Sequence, residues 1–256
     1  MSVAVAERPI ELALARGVRA CVTTRVLEGR SAGPYARFNL GEHVGDDADA
    51  VAANRRALRA LARLPASPRF LRQAHGTAIV ELDGREAGPE VSEADAAVTC
   101  TRGVVLAVLT ADCLPVLVAD AAGTVVAAIH AGWRGLAAGI VERAVARVAA
   151  LAGHDAALHA YVGPAISRSR YEVGAEVRDA LLAADAAATA AFEATRPGHW
   201  LCDLPLLAGR RLARAGVARI TQSGICTHTD PRFYSHRRDG VTGRFASLIW
   251  LEPESP

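Results

Sequence analysis

Residues 110–135 read TADCLPVLVADAAGTVVAAIHAGWRG, and this stretch decides the fold. Two apolar runs, residues 114–119 and 124–129, predict β-strands, and the segment 120–123 with its glycine predicts the turn between them. Cys113 precedes the first run and His130 follows the second. If the two strands pair as a hairpin, Cys113 and His130 fall at the same end of it. The sequence therefore predicts that a thiol and an imidazole meet at one edge of a buried sheet.

A thiol beside an imidazole indicates either a metal site or a Cys/His nucleophile pair. His75 lies in a third predicted strand region, next to Gly76. One Cys and two His match the ligand preferences of zinc, and three protein ligands leave one coordination position open for catalysis. The alternative is a structural cysteine and two core histidines. Asp112 interrupts an otherwise apolar run, and a buried carboxylate there needs a partner.

Arginine is the only strong side-chain anion ligand in the chain, because all 29 basic residues are Arg and none is Lys. The absence of Lys excludes Schiff-base chemistry and a Walker A loop. Residues 132–135 (GWRG) begin a predicted helix, whose first N–H groups favour an anion. The alternative there is a tight turn with Trp133 in the core. Residues 236–244 form a second basic segment, for which a solvated turn is the alternative interpretation.

The bulk composition predicts a globular protein without a nucleic-acid or membrane partner. Of the 256 residues, 51% are hydrophobic and 22% charged, and the net charge of +2 is too balanced to favour nucleic acid. The longest apolar run is broken by Asp112 and Pro115, which favours a buried sheet over a membrane span. Five scattered cysteines without a CxxC motif favour a reducing compartment. The N-terminus lacks a signal-peptide layout, so we expect a cytoplasmic protein.

The remaining elements predict one mixed α/β domain (α+β) over residues 1–256, with a core of about 19–251. Further strands are predicted over residues 18–26, 95–99, 104–109, 158–162, 217–222, 232–235 and 245–251, and residues 70–82 are predicted to form a strand pair or one bent strand. Helices are predicted over residues 48–64, 136–151 and 204–215, and another ends near residue 184. Residues 83–91 are predicted to be a loop. No GxGxxG follows a strand, which argues against a Rossmann dinucleotide site.

Seven segments resemble the YfiH family, also called the laccase-domain or multicopper polyphenol oxidase family, which includes the peptidoglycan editing factor. These segments are FNLGEHVGDD, LRQAHGTAIV, ADAAVT, TADCLPVLVAD, AIHAGWRG, VGPAISRSRYEVG and FYSHRRDGVTGRFASLIWL. The resemblance runs in order from about residue 19 to residue 251. It implies a sandwich of mixed β-sheets flanked by helices. It also implies a zinc site made of His75, Cys113 and His130.

The resemblance implies an enzyme that cleaves purine nucleosides with phosphate. The expected substrates are adenosine, inosine, guanosine and methylthioadenosine, the products are the base and ribose 1-phosphate, and adenosine deamination is a second activity. Its partners would be small molecules, the nucleoside and inorganic phosphate. We expect Arg134 and Arg244 to bind phosphate, and Asn39 and Gln73 to contact the nucleoside.

Three other functions remain open from the sequence. Cys113 and His130 could act as nucleophile and base of an amide hydrolase that edits peptidoglycan precursors. The protein could bind a partner without catalysis. A copper-dependent, laccase-like polyphenol oxidase is the last alternative, with copper in place of zinc. The chain contains no H-x-H pair, so a full multicopper centre would lack its usual ligands.

Overall fold

The computed structural model of the protein describes residues 8–85 and 90–254. The first seven residues of the N-terminus and residues 86–89 of the predicted loop lie outside this part. The strands are β1 (Ile10–Leu12), β2 (Val18–Val22), β3 (Arg69–Arg72), β4 (Ile79–Glu81), β5 (Glu90–Glu93), β6 (Ala96–Thr99), β7 (Leu106–Thr110), β8 (Leu114–Asp120), β9 (Val126–Ala131), β10 (Leu158–Val162), β11 (Glu172–Gly174), β12 (Phe192–Ala194), β13 (His199–Cys202), β14 (Arg219–Gln222) and β15 (Phe245–Leu251).

The α-helices are α1 (Ala48–Leu61), α2 (Trp133–Ala137), α3 (Ile140–Ala152), α4 (Ala175–Ala184), α5 (Leu204–Arg214) and α6 (His236–Asp239). Short 3-10 helices cover Gly33–Tyr35, Glu42–Val44, Arg168–Arg170 and Ala186–Ala191. Asp47 begins α1 by accepting a hydrogen bond from the Ala50 N–H, and Asp203 begins α5 in the same way. In the described residues, no helix is both long and apolar enough to span a lipid bilayer.

Two six-stranded mixed sheets form the body of the protein. The first has the order β1-β2-β15-β7-β3-β5, and the second has the order β14-β10-β8-β9-β6-β4. In the second sheet β10, β8, β9 and β6 are antiparallel neighbours, whereas β14 and β4 join the edges in parallel. A third, small antiparallel sheet has the order β11-β13-β12 and packs in the same core as the second sheet. The predicted class, mixed sheets flanked by helices, is confirmed.

The protein has four layers, which are helices α3 and α5, the second sheet, the first sheet and helix α1. This layering explains why the sequences of the central strands are continuous apolar runs. Alternate residues of β8 face opposite ways: Val116 and Val118 pack with helices α3 and α5, whereas Leu117 packs between the two sheets. In β7, Val108 faces the other sheet and Leu109 packs against the α1 side. Both faces of each central strand are therefore buried, and an alternating polar pattern cannot appear there.

The predicted hairpin of β8 and β9 is confirmed, with Leu114 opposite Ala131 and Val116 opposite Ile129. The Asp120 carboxylate closes the turn by accepting hydrogen bonds from the N–H groups of Thr124 and Val125, both at 2.7 Å. Gly123 takes φ +71°, a conformation that glycine adopts without steric cost. Because the turn fixes the register, both ends of the hairpin are set by local chemistry.

The single helix predicted over residues 136–151 is wrong at its start. The chain forms the short helix α2 and then the longer α3, separated at Gly139, which takes φ +89°. An L-residue side chain disfavours that backbone conformation, so the glycine ends one helix and begins the next. The apolar stripe of α3 is as predicted, since Ile140, Val141 and Val148 are buried.

Four other predictions differ from the structure. Residues 70–82 form two strands, as one alternative predicts, but β3 and β4 do not pair, because the chain crosses from one sheet to the other between them. The strand predicted over residues 18–26 ends at Val22. Residues 232–235 are not a strand but lead into the short helix α6, and the predicted loop ends at Glu90, where β5 begins.

Helices α3 and α5 are joined by one largely buried ion pair. Arg211 Nη1 lies 2.7 Å from Glu142 Oε1, with the Arg211 side chain 4% exposed and the Glu142 side chain 35% exposed. The buried Arg211 Nε and Nη2 atoms have no hydrogen-bond partner among the described residues. The guanidinium therefore depends on one carboxylate for compensation of its buried charge.

We expect Glu142→Ala to destabilise the protein more than Arg211→Met. The first change leaves a buried, unpaired cation and should cost about 2–3 kcal/mol. The second leaves the Glu142 carboxylate without its cation; Oε2 is buried, but the side chain is 35% exposed and can turn toward water, so the cost should be less than about 1.5 kcal/mol. Urea unfolding of the two variants measures the difference, and equal losses would contradict this account of the pair.

Candidate metal centre

The end of the hairpin brings three sulfur and nitrogen ligands together. Cys113 directly precedes β8, His130 lies near the end of β9, and His75 lies in the segment between β3 and β4. Their side-chain ligand atoms all lie within 4.8 Å of one another, and Cys113 Sγ is 3.9 Å from His75 Nε2. The two imidazole rings meet edge to face, with centroids 4.7 Å apart. The predicted convergence of Cys113 and His130 is confirmed, and His75 joins them.

Two residues of the centre hold backbone conformations that L-residues rarely take. His75 has φ 60° and Asp112, just before Cys113, has φ 101°. Such conformations cost of order 1–3 kcal/mol each and persist only where neighbouring groups hold them. The Asp112 carboxylate accepts hydrogen bonds from Thr227 Oγ1 at 2.6 Å and from the Arg237 N–H at 2.7 Å. The partner that the sequence required for Asp112 is therefore present.

Asp95 holds the other side of the centre. Its buried carboxylate accepts hydrogen bonds from His130 Nδ1 at 2.8 Å, from the His75 N–H at 2.9 Å and from the Gly76 N–H at 2.6 Å. The His130 N–H also donates to the Asp95 main-chain oxygen at 2.7 Å. With Nδ1 engaged in this way, His130 presents Nε2 to the centre, which is the arrangement that metal-binding histidines use.

Two glycines of the GWRG segment let helix α2 approach the ligands. A Cβ atom on Gly132 would lie 2.8 Å from His75 Cδ2 and 3.2 Å from Cys113 Sγ. A Cβ atom on Gly135 would lie 2.9 Å from the Gly76 carbonyl oxygen. A side chain at either position would collide with the segments that carry the ligands, so both positions require glycine. The GWRG segment is therefore a tight turn as well as the start of a helix. Trp133 packs partly buried against the core, as the alternative interpretation predicts.

The electrostatics favour an ionised thiol. Burial opposes ionisation of Cys113, but hydrogen bonds and charges from His130 and His75 outweigh it and lower its pKa to about 6. Burial also opposes the charged form of His130, but Asp95 and Cys113 outweigh it and raise its pKa to about 9. At neutral pH without a metal, the pair is therefore a thiolate and an imidazolium. A thiolate is the form in which cysteine binds a metal or attacks an electrophile.

The ligand set fits a tetrahedral ion. Two ligands on one zinc lie about 3.3–3.7 Å apart, because zinc bonds to nitrogen and sulfur are about 2.0–2.3 Å long. The observed 3.9 Å between Cys113 Sγ and His75 Nε2 is close to this spacing. His130 is buried, Cys113 is half-buried and His75 is exposed, so one side of the cluster faces solvent. A metal held here would have an open position on that side.

The two arginines predicted to bind phosphate differ in their exposure and in the hydrogen bonds that their guanidinium groups already form. Arg134 is exposed and stacks on Trp133, with its Cζ atom 4.4 Å from the ring centroid. Arg244 is half-buried, and its Nη1 donates to the carbonyl oxygens of Thr242 and Gly243. Burial lowers the pKa of Arg244, against the opposing charges of Cys113 and Asp112. Arg244 therefore lies within electrostatic range of the thiolate.

The two amides predicted to contact the nucleoside are engaged with the backbone. Asn39 is buried and accepts hydrogen bonds from the N–H groups of Gly41 and Arg244. Gln73 Nε2 donates to the Leu109 carbonyl oxygen and Gln73 Oε1 accepts from the Leu109 N–H, each at 2.8 Å. This pair of hydrogen bonds extends the pairing of β3 with β7. The Asn39 side chain fixes the backbone of Arg244, and the Gln73 bonds fix the chain two residues before His75. Contact of Asn39 and Gln73 with a nucleoside stays a prediction.

Two residues near the centre were missed by reasoning from the sequence. In the sequence, Asp95 is only the first residue of a predicted strand. Like Asp112, however, it is a single carboxylate next to an apolar run, here residues 96–98. His43 lies in a polar segment without periodicity. Its pKa is lowered by burial and then by the charges of Arg244 and Arg55, with smaller effects from His130 and His75. His43 thus lies within range of the charges of these groups, and no local pattern indicates this.

The family described as multi-copper polyphenol oxidoreductase laccase matches residues 19–252. The chain belongs to this family. The resemblance to YfiH proteins is confirmed: the chain is 47% identical over 238 residues to "Purine nucleoside phosphorylase YfiH" of Escherichia coli, covering 92% of this chain and 95% of that protein. It is 43% identical over 232 residues to a protein of Mycobacterium tuberculosis that is also named a purine nucleoside phosphorylase, covering 90% of this chain and 91% of that protein.

Solved structures of YfiH-family proteins share the whole architecture. A protein of Neisseria meningitidis superposes with a TM-score of 0.88 at 41% identity, covering 96% of this chain and 100% of that chain. YlmD of Geobacillus stearothermophilus superposes with a TM-score of 0.83 at 32% identity, covering 93% of each chain. The four-layer arrangement of this chain is thus common to the family.

We expect Asp95→Asn to weaken metal binding at the centre by about 10–100-fold, because the amide cannot hold His130 Nδ1–H and the His75 turn as a carboxylate does. Competition with a chromogenic chelator measures the affinity for zinc. Asp120→Asn is the matched control, since Asp120 closes the far end of the hairpin. An unchanged affinity in Asp95→Asn would contradict the positioning role of Asp95.

We expect alkylation of Cys113 by iodoacetamide in metal-free protein to follow a titration with a midpoint near pH 6. Below that pH the thiol is protonated and the rate falls, and above it the rate reaches a plateau. The exposed Cys100 is an internal control: burial and the charge of Glu81 raise its pKa, so its rate should still be rising at pH 9. Mass mapping separates the two peptides, and a shared midpoint would contradict the ion-pair assignment.

Proposed function

We propose that this protein is a zinc-dependent purine nucleoside phosphorylase with adenosine deaminase activity. The observation that carries the proposal is the convergence of His75, Cys113 and His130, with a thiolate, at a solvent-facing edge flanked by arginines. Relatives that share 43–48% of its residues are named purine nucleoside phosphorylases, which supports the reaction. The proposed substrates are adenosine, inosine, guanosine and S-methyl-5′-thioadenosine, together with inorganic phosphate.

The donor set supports zinc over copper. One thiolate and two imidazoles are typical of catalytic zinc sites with three protein ligands. When bound, zinc supplies a Lewis acid with one open coordination position, which suits the water chemistry of deamination. Asp95 would orient His130 and His75 toward the metal, and the thiolate of Cys113 would reduce its net charge. Copper, which the name of the family suggests, remains the alternative ion.

In the proposed phosphorolysis, a phosphate oxygen bonds to C1′ of the ribose while the bond from C1′ to N9 of the purine breaks. The electron pair of that bond leaves with the base, which takes up a proton, and the products are the free purine and ribose 1-phosphate. Charge on the ribose resembles an oxocarbenium ion, so an adjacent phosphate dianion stabilises it. We assign Arg134 and Arg244 to bind the phosphate, and Asn39 and Gln73 to the nucleoside side.

We also propose a cytoplasmic location. The five cysteines are free, which agrees with a reducing compartment.

The decisive assay incubates the zinc-loaded protein with adenosine, with and without phosphate, and separates the products by chromatography. We expect adenine only with phosphate, and inosine in both conditions. Chelation should abolish both products and zinc should restore them. Cys113→Ala should lower both rates by at least about 100-fold, whereas Cys100→Ala, which lies outside the centre, should not. If neither adenine nor inosine forms, the proposed function is wrong.

The Cys113 thiolate beside the His130 imidazolium favours one further candidate, an amide hydrolase that edits peptidoglycan precursors. In that reaction Cys113 would attack the amide carbonyl and His130 would protonate the leaving amine. An acyl group trapped on Cys113 and detected by mass spectrometry would support it. Loss of all activity on chelation, with recovery on zinc, would count against it.

A further inference from the structure

Arg237 is held in place beside the centre by contacts from three directions. Its N–H donates to the Asp112 carboxylate at 2.7 Å, one residue before Cys113. Its Nη1 donates to the Glu172 carbonyl oxygen at 3.0 Å. Its Cζ atom lies 5.0 Å from the centroid of the Tyr171 ring. The guanidinium is therefore oriented before any ligand arrives, which lowers the entropy cost of binding.

Tyr171 lies within range of the charges of both Arg237 and Arg134. Its half-buried ring packs on the same core as Trp133, the residue on which Arg134 stacks, and α2 packs against α4 just after Tyr171. Burial raises the pKa of Tyr171, as do the charges of Cys202 and Cys113, whereas Arg237 and Arg134 oppose the increase. Both arginines and the Cys113 thiolate therefore act on one phenol. Arg134 follows Gly132, which packs closely against His75 and Cys113, and the Arg237 N–H donates to Asp112 beside Cys113, so both arginines lie near the centre.

Neither Arg134 nor Arg237 forms an ion pair with a carboxylate of the described residues. By contrast, Arg238 of the basic segment lies 2.8 Å from Asp239, and Arg232, which precedes that segment, lies 2.7 Å from Asp230. Arg237 is exposed despite its fixed position. Two oriented, exposed cations without a carboxylate partner form a positive site that an anion can neutralise.

We propose that Arg134 and Arg237 form the phosphate-binding subsite of this centre. The inference rests on the proposed function and adds Arg237 to it. Guanidinium groups bind phosphate oxygens in a bidentate fashion, and a dianion needs two such groups for neutralisation. Arg244 stays a further ligand of the same phosphate but has fewer free donors, since its Nη1 already donates to two carbonyl oxygens. The phosphate group belongs to inorganic phosphate, the co-substrate.

The test measures phosphorolysis of adenosine by the zinc-loaded full-length protein over a range of phosphate concentrations. Arg237→Gln should raise KM for phosphate about 10–100-fold, the loss expected for a charge-assisted hydrogen-bonded contact. Arg237→Lys should lie between Arg237→Gln and the unchanged protein. KM for adenosine and the zinc content should not change. Both variants keep the N–H that bonds Asp112, so both should fold.

Arg219→Gln is the matched control, because it removes the same charge from an exposed site. Arg219 pairs with His159, and His159 pairs with Ala119, which is about 20 Å along β8 from Cys113. KM for phosphate should stay unchanged in this variant. An equal rise in both variants would show a general effect of net charge and would overturn the subsite.

A second measurement separates failure of the subsite from failure of the reaction. The stabilisation of the protein by inorganic phosphate, followed as a shift in Tm, should be lost in Arg237→Gln. If the unchanged protein cleaves adenosine with phosphate but Arg237→Gln has the same phosphate KM and Tm shift, the subsite is wrong and the proposed function stands. If no phosphate-dependent cleavage occurs in any variant, the proposed function is wrong, and a Tm shift that depends on Arg237 still supports the anion site.

Adenosine 5′-monophosphate distinguishes the two sources of a phosphate group. Competition between this nucleotide and inorganic phosphate, abolished together in Arg237→Gln, supports one shared subsite. A loss of nucleotide binding alone, with unchanged binding of inorganic phosphate, assigns the arginine pair to the 5′-phosphate of a nucleotide. That result would overturn its assignment to the co-substrate.

Discussion

The Asp95 carboxylate accepts hydrogen bonds from His130 Nδ1 and from the N–H groups of His75 and Gly76, and these bonds hold the candidate centre together. A buried carboxylate without partners would be very unfavourable, so the three donors stabilise its charge. In return, the carboxylate holds His75 in a left-handed conformation and sets the tautomer of His130. A single buried charge thus orients two ligands that lie 55 positions apart in the sequence.

The Asp112 carboxylate, one residue before Cys113, also holds distant segments at the centre. It bonds Thr227 and the backbone of Arg237, which brings the C-terminal basic segment to the hairpin end. The four-layer packing supports both carboxylates, because β8 and β9 are buried on both faces and shift little. The rigid hairpin carries Cys113 and His130, while the segments that bring His75 and the arginines are tied to it by these two charges. The charge state of the thiol follows from this arrangement, since two imidazoles outweigh the effect of burial.

Much of the sheet structure was predictable because each strand is defined by neighbouring residues. The strand at residues 158–162 and the final strand at residues 245–251 match the structure at both ends. The hairpin was predicted correctly, since Asp120 and Gly123 act within five residues of each other. The helix break at Gly139 was missed because an isolated glycine inside an apolar helical pattern does not by itself end a helix. The segment 232–235 was misread as a strand, because Phe233 and Tyr234 are buried in a turn rather than paired in a sheet.

The sequence by itself determined the hairpin, the meeting of Cys113 with His130, and the identity of the third group, His75, through family resemblance. These features depend on local periodicity and on a register that one turn fixes. Only the tertiary structure decided that Asp95 orients both histidines, that His43 lies within range of their charges, and that the Arg237 N–H donates to Asp112 beside Cys113. Each of these contacts joins segments far apart in the chain. The physical reason is that hydrogen bonds and charges act over a few ångströms in space, and only the packing of two sheets and their helices brings those segments within that range.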